Sequence, residues 1–77
     1  MNQIEKNILN FITKGNTSLQ INEEEDLFKA GYLDSMNVLE LIALIEDNTG
    51  KEFDPENVSV ANLATLSKIY AIANSLT

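Results

Sequence analysis

Apolar residues recur at helical spacing in three stretches of this chain, and no stretch carries a strand signal, which restricts it to the all-α class. Ile4, Ile8, Phe11 and Ile12 fall at i, i+4, i+7 and i+8. Asn2 and Glu5 have the spacing of a capping box and Gly15 can end the segment, so the first helix is expected over residues 2–14. A second helix is expected from Ser35 to about Thr49, with Gly50 as its terminator. Projected at about 100° per residue, it places Val38, Leu41, Ile42 and Ile45 on a core face. Asp54-Pro55 pairs an N-cap with proline at the first helical position and predicts a short helix near 55–59. The last helix begins between Asn62 and Thr65 and runs to about Leu76, burying Leu63, Leu66, Ile69, Tyr70 and Ala73. The expected architecture is a small antiparallel bundle of three long helices plus one short helix.

Residues 15–34 show no sustained period. Asn16-Thr17-Ser18 reads as a turn and Glu23-Glu24-Glu25-Asp26 as an acidic, solvated run. Leu19, Ile21, Leu27 and Phe28 are spaced as anchors that pin this loop to the core. A loop of about twenty residues between helices one and two is unusual in a compact domain and is often functional. It ends at Gly31-Tyr32-Leu33-Asp34, directly before Ser35.

Size and composition narrow the function. With 77 residues the chain is expected to form a single domain, 1–77, with one core. Such a domain buries only about 60% of the surface its unfolded chain exposes. There is no cysteine and no histidine, which removes thiol nucleophiles, disulfides, zinc sites and the usual general base at neutral pH. Catalysis by the bare polypeptide is not expected. Nor is a metal site: registering a calcium loop on Gly31 or Gly50 puts Phe28 and Ala30, or Ile45, at ligand positions. The three glycines are isolated, so no phosphate-binding loop is present. No apolar run reaches the roughly 20 residues of a membrane span, and the N-terminus lacks the pattern of a signal peptide, so a cytoplasmic location is expected. A net charge of −7 disfavours nucleic acid and anionic lipid and suits partners with basic patches.

Ser35 stands where free N–H groups and the helix dipole favour an anionic group. Its surroundings read Leu27-Phe28-Lys29-Ala30-Gly31-Tyr32-Leu33-Asp34-Ser35-Met36 and continue into Val38-Leu39-Glu40-Leu41-Ile42. This string closely resembles the phosphopantetheine-attachment region of acyl, aminoacyl and peptidyl carrier proteins. The resemblance extends through Phe53-Asp54-Pro55-Glu56 and Leu63-Ala64-Thr65-Leu66.

That resemblance implies an acyl-carrier-like bundle, acting as a monomer and not an enzyme. It implies 4′-phosphopantetheine transferred from coenzyme A to the Ser35 oxygen, with Asp34 helping to hold the transferase's metal. The arm's thiol would then hold an acyl or aminoacyl cargo as a thioester. The implied partners are a phosphopantetheinyl transferase, an acyl- or aminoacyl-loading ligase, and downstream synthase or transferase enzymes. Met36, Glu40, Ala43 and Asp47, with Glu46 and Leu39 on the margin, form a second face of helix two, acidic yet partly apolar, suited to those partners. Met36 stands where fatty-acid carriers usually have leucine, and Asn37 replaces an acidic residue common in them. Gly31-Tyr32-Leu33 looks more like freestanding carriers of D-alanine incorporation, nonribosomal peptide or specialised polyketide pathways. A fatty-acid role and an acidic interaction module without a prosthetic group stand as alternatives.

Overall fold

In the computed structural model, which describes residues 1–16 and 18–77, helix α1 spans Gln3–Thr13 and α2 spans Asn37–Thr49. A 3₁₀ turn at Pro55–Asn57 leads into α3, Val60–Leu63, and the chain closes with α4, Leu66–Ser75. There is no strand among the described residues.

Each element starts where a short polar side chain can take up free backbone donors. Asn2 and Glu5 form the expected reciprocal capping box at the start of α1. Asp54, Ser59 and Thr65 cap the 3₁₀ turn, α3 and α4 by accepting from Glu56, Asn62 and Lys68 N–H. α3 was not anticipated; its four residues are too few to show a period, and only the Ser59 cap betrays it.

Several boundaries differ from expectation: the last helix begins at Leu66, just after its Thr65 cap, with Leu63 in α3, and the short helix near 55–59 is a 3₁₀ turn that ends at Asn57. α1 ends at Lys14, which itself takes the left-handed conformation (φ 55°), one residue before the expected stop at Gly15. α2 begins at Asn37 instead of Ser35, because Asp34 supplies the cap and Ser35 and Met36 form the entering turn. Gly50 does end α2, with φ 70°, donating its N–H to the Glu46 carbonyl at 2.8 Å. Few residues other than glycine adopt that angle cheaply.

The core joins all four helices and the long loop. Ile4, Ile8 and Ile12 of α1 meet Leu41 and Ile45 of α2 and Leu66, Ile69, Tyr70 and Ala73 of α4, with Leu63 of α3 alongside. Phe11, Val38 and Ile42 are only half-buried against this cluster, so the apolar stripe of α2 is narrower than the projection gave. α1 packs on both α2 and α4. Asn2 and Glu5 at the start of α1 bond Asn74 at the end of α4, so these two helices run in opposite senses.

The loop between α1 and α2 is fastened at particular points. Leu27 is fully buried; its N–H donates to the Ala64 carbonyl at 2.7 Å, and its own carbonyl accepts from Tyr32 and Leu33. Ser67 N–H donates to Glu23 O at 3.0 Å, tying the loop to α4. Ile21 and Phe28 are partly buried, as anchors should be, and Leu33 is a further buried anchor. Asn16 accepts from Ser18 through its side chain, and the turn expected there includes Thr17, which lies outside the described residues.

Candidate functional site

Asp34 organises the entrance to α2. One carboxylate oxygen, Oδ1, accepts from both Met36 N–H and Asn37 N–H at 2.8 Å, and the Asp34 carbonyl accepts from Val38 N–H at 3.1 Å. These donors hold its carboxyl below the ordinary value of 3.8, the Asn37 N–H contributing most and the Met36 N–H next, with a further pull from the Lys14 charge. Asn37 returns the favour: its Oδ1 accepts from Asp34 N–H at 2.7 Å, and its Nδ2 donates to the Tyr32 carbonyl at 3.0 Å. The turn that delivers Tyr32 passes through Gly31 at φ 86°.

This arrangement leaves Ser35 exposed, with its hydroxyl in no hydrogen bond among the described residues. The cap comes from Asp34, whose carboxylate reaches the N–H groups two and three residues further on. Ser35 sits on the rim of a largely apolar groove of about 380 Å³ lined by Phe28, Val38, Leu39, Val58, Ser59, Val60 and Leu63. Leu39 is 61% exposed and Val60 60%, large for aliphatic side chains, and they stand open on this side. Sequence reasoning put Leu39 on a margin and missed Val58 and Val60 altogether. The Ser59 cap was the one signal that could have placed Val60 on a helix.

Met36 is 78% exposed, and Glu40, Ala43 and Asp47 are exposed as well. Glu46 differs from them. It is half-buried, and its Oε2 accepts from Phe53 N–H at 2.8 Å, which ties the end of α2 to the following segment. No group of three or more acidic, histidine or cysteine side chains could hold a metal among the described residues.

The family model described as "phosphopantetheine attachment site" matches residues 15–72, most of the chain. The chain belongs to that family. No curated protein and no solved structure matches it significantly. Carrier domains of this family hold 4′-phosphopantetheine covalently and are not themselves enzymes. When bound, the group supplies a terminal thiol on which cargo rides as a thioester, a function this cysteine-free carrier has no side chain of its own to perform.

The residues around Ser35 fit such a group. The carrier offers an exposed hydroxyl with no competing hydrogen bond, on a turn fixed by the Asp34–Asn37 exchange, beside an apolar groove that an extended chain could follow. The first N–H groups of α2 point the positive end of the helix dipole toward the same spot.

Proposed function

We propose that Ser35 is the attachment residue and that the chain, as a single monomeric carrier domain, presents a short acyl or aminoacyl cargo to partner enzymes in a specialised biosynthetic pathway of the cytoplasm. The observation that carries the assignment is the freedom of the Ser35 hydroxyl, exposed and unbonded between two residues whose backbones are held. A transferase can take that oxygen as nucleophile without breaking any contact of the fold. Asp34 keeps its second carboxylate oxygen, Oδ2, out of the cap, which suits it to approach a metal ion held by the transferase.

The partners are a phosphopantetheinyl transferase, an acyl- or aminoacyl-loading ligase and a downstream synthase or transferase. They meet α2 through Met36, Glu40, Ala43 and Asp47, all exposed, with Leu39 and Val60 adding apolar area near the serine. Glu46 contributes charge while keeping its bond to Phe53. The preference for a short cargo rests on the position of the groove. It is an open surface feature beside Ser35, and Leu63 in its lining is itself buried. A polar aminoacyl group loses nothing by staying at such a surface, because its amine keeps its water.

Apo protein is to be treated with coenzyme A and a broad-specificity transferase and weighed intact. One prosthetic group should be gained by the wild type and none by Ser35→Ala. Modification of Ser35→Ala would sink the assignment. Competition between aminoacyl and octanoyl loading, read by chemical shifts, tests the cargo. Large shifts at Val38 and Leu63 with octanoyl alone would favour a fatty-acid role.

A further inference from the structure

The first turn of α2 separates two concavities of different character. On one side lies the apolar groove that Ser35 borders with Val38 and Leu39. On the other, between the end of α1 and the start of α2, lies a mixed concavity of about 530 Å³, more polar than the groove and lined by Asn10, Phe11, Lys14, Gly15, Asn37 and Glu40. A phosphodiester on Ser35 adds a full negative charge at this junction, next to the carboxylate of Asp34. Besides Ser35 itself, the groove offers such a charge one side-chain donor, the neutral Ser59 hydroxyl, whereas the other side offers the Lys14 ammonium, with the Glu40 carboxylate on the same lining.

Lys14 is the one cationic residue on that side. Its position is fixed by backbone: it closes α1 in the left-handed conformation, with its N–H donated to the carbonyls of Asn10 and Phe11. Side chains other than glycine, asparagine and aspartate are uncommon there. No ion pair forms among the described residues, so the Lys14 ammonium is not committed to a carboxylate. Its charge already reaches Asp34, the neighbour of Ser35. The other lysines are placed differently. Lys68 gives its ammonium to the Ala61 carbonyl at 2.9 Å, Lys6 lines a hollow with Met1 and Leu19, and Lys51 lies beyond the far end of α2. Lys29 is exposed in the loop before α2 and lines neither concavity.

We propose that Lys14 is a positioning residue for the modified serine: its ammonium takes up the charge of the Ser35 phosphodiester on the polar side of α2, leaving the apolar groove to the rest of the arm. This rests on Ser35 being the attachment residue. Attraction at this exposed site is modest and easily screened, so its effect is on where the arm leaves the protein more than on whether it is attached.

The full chain is to be loaded from coenzyme A, its loading checked by intact mass, and compared with the unloaded form by NMR. The Lys14 Cε–Hε cross-peak should move on loading while those of Lys29 and Lys51 stay in place. The phosphorus resonance of the loaded protein should shift in Lys14→Gln, return toward the wild-type position in Lys14→Arg, and be unaffected in Lys29→Gln. The difference between wild type and Lys14→Gln should shrink as salt is added. A loaded protein whose Lys14 cross-peak and phosphorus resonance ignore each other overturns this proposal alone. Failure to load, seen by mass, overturns the Ser35 assignment and this proposal with it.

Discussion

Asp34 and Asn37 cap each other: the carboxylate of one accepts the N–H of the other at 2.8 Å, and the amide oxygen of the second accepts the N–H of the first at 2.7 Å. This is the logic of a capping box, with asparagine three residues after the capping aspartate, where glutamate or glutamine is usual. Asparagine adds a donor that a carboxylate lacks, and the Tyr32 carbonyl takes it. Asn37, one of the two residues that depart from the fatty-acid pattern, thus locks the turn on both sides of Ser35.

Replacing Asn37 with alanine removes two side-chain hydrogen bonds and leaves the Asp34 N–H and Tyr32 carbonyl to water. At about 0.5–1.5 kcal/mol per bond, the melting temperature should fall by roughly 4–24 °C. Asn37→Gln, one methylene longer, should recover only part of this. A melting curve for Asn37→Ala that overlays the wild type would show that the exchange contributes nothing.

Acid should unfold the protein partly through Asp34 and Glu5. Glu5 is also held below its ordinary value of 4.5, chiefly by the Asn74 side chain and then by Asn2 N–H. A carboxyl with a depressed folded-state value contributes stability above its unfolded value and loses it as pH falls through the folded one. The loss from these two groups therefore starts near pH 4 and deepens below it. Asp34→Asn and Glu5→Gln should each flatten the acid limb of a stability–pH curve. Limbs that stay parallel to the wild type would assign acid unfolding to other groups.

Tyr70 presents the opposite case. Its hydroxyl is buried without a partner among the described residues, and burial, then the charges of Glu23 and Glu5, raise its value above 10. An unpaired buried hydroxyl costs stability, so Tyr70→Phe should melt at the wild-type temperature or above, by up to about 1 kcal/mol. At high pH the sign is set by the raised folded-state value: below the unfolded value of about 10 the group is neutral in both states. Above it the unfolded chain ionises first, and the wild type loses stability that Tyr70→Phe keeps. A marked fall in the melting temperature of Tyr70→Phe would reveal an ordered water that bonds the hydroxyl.

Salt should stabilise this protein. Its net charge of −7 is self-repelling, and no ion pair among the described residues stands to be weakened by screening. Its cross-helix polar ties are between neutral amides or carboxylate and amide, as in Asn7–Asn48 and Asn74–Glu5. The melting temperature should therefore rise steadily from low salt to about 0.5 M sodium chloride, most steeply below 0.1 M, where screening changes fastest. A fall over that range would mean that attractive charge pairs outweigh the repulsion.

Much of this fold was legible because helical burial is periodic. The five residues assigned to the core of the last helix, Leu63 through Ala73, are all buried, and the Asn2–Glu5 and Asp54-Pro55 signals mark real starts. What the sequence concealed lies where period gives way to single contacts. Leu33 is buried because its N–H turns back to Leu27, and nothing in its neighbours announces that. α3 is one turn long, capped by Ser59 and tied to Leu27 through the Ala64 carbonyl, and so short a stretch shows no period that would announce the exposure of Val58 and Val60. The position of Ser35 could be read from its context. Its freedom from the cap could not, since serine and aspartate are both good caps and the geometry alone chooses between them.

The last prediction concerns the face that partners would use. Glu40 and Asp47 are exposed, while Leu39 and Val60 offer apolar area next to Ser35. If both kinds of surface serve recognition, they should fail differently. Glu40→Lys with Asp47→Lys should slow loading by the transferase mainly at low salt, because exposed charges steer encounter and are screened as salt rises. Leu39→Ser with Val60→Ser should slow loading about equally at all salt concentrations, because it removes apolar contact. Both pairs are solvent-exposed, so their melting temperatures should stay close to the wild type. Glu46 provides the contrast: Glu46→Gln keeps a carbonyl acceptor for Phe53 N–H and should hold stability, whereas Glu46→Ala should lower it. Wild-type loading rates for both double variants at low salt would show that α2 and α3 are solvated at this face, and would move the recognition surface to the loop before Ser35.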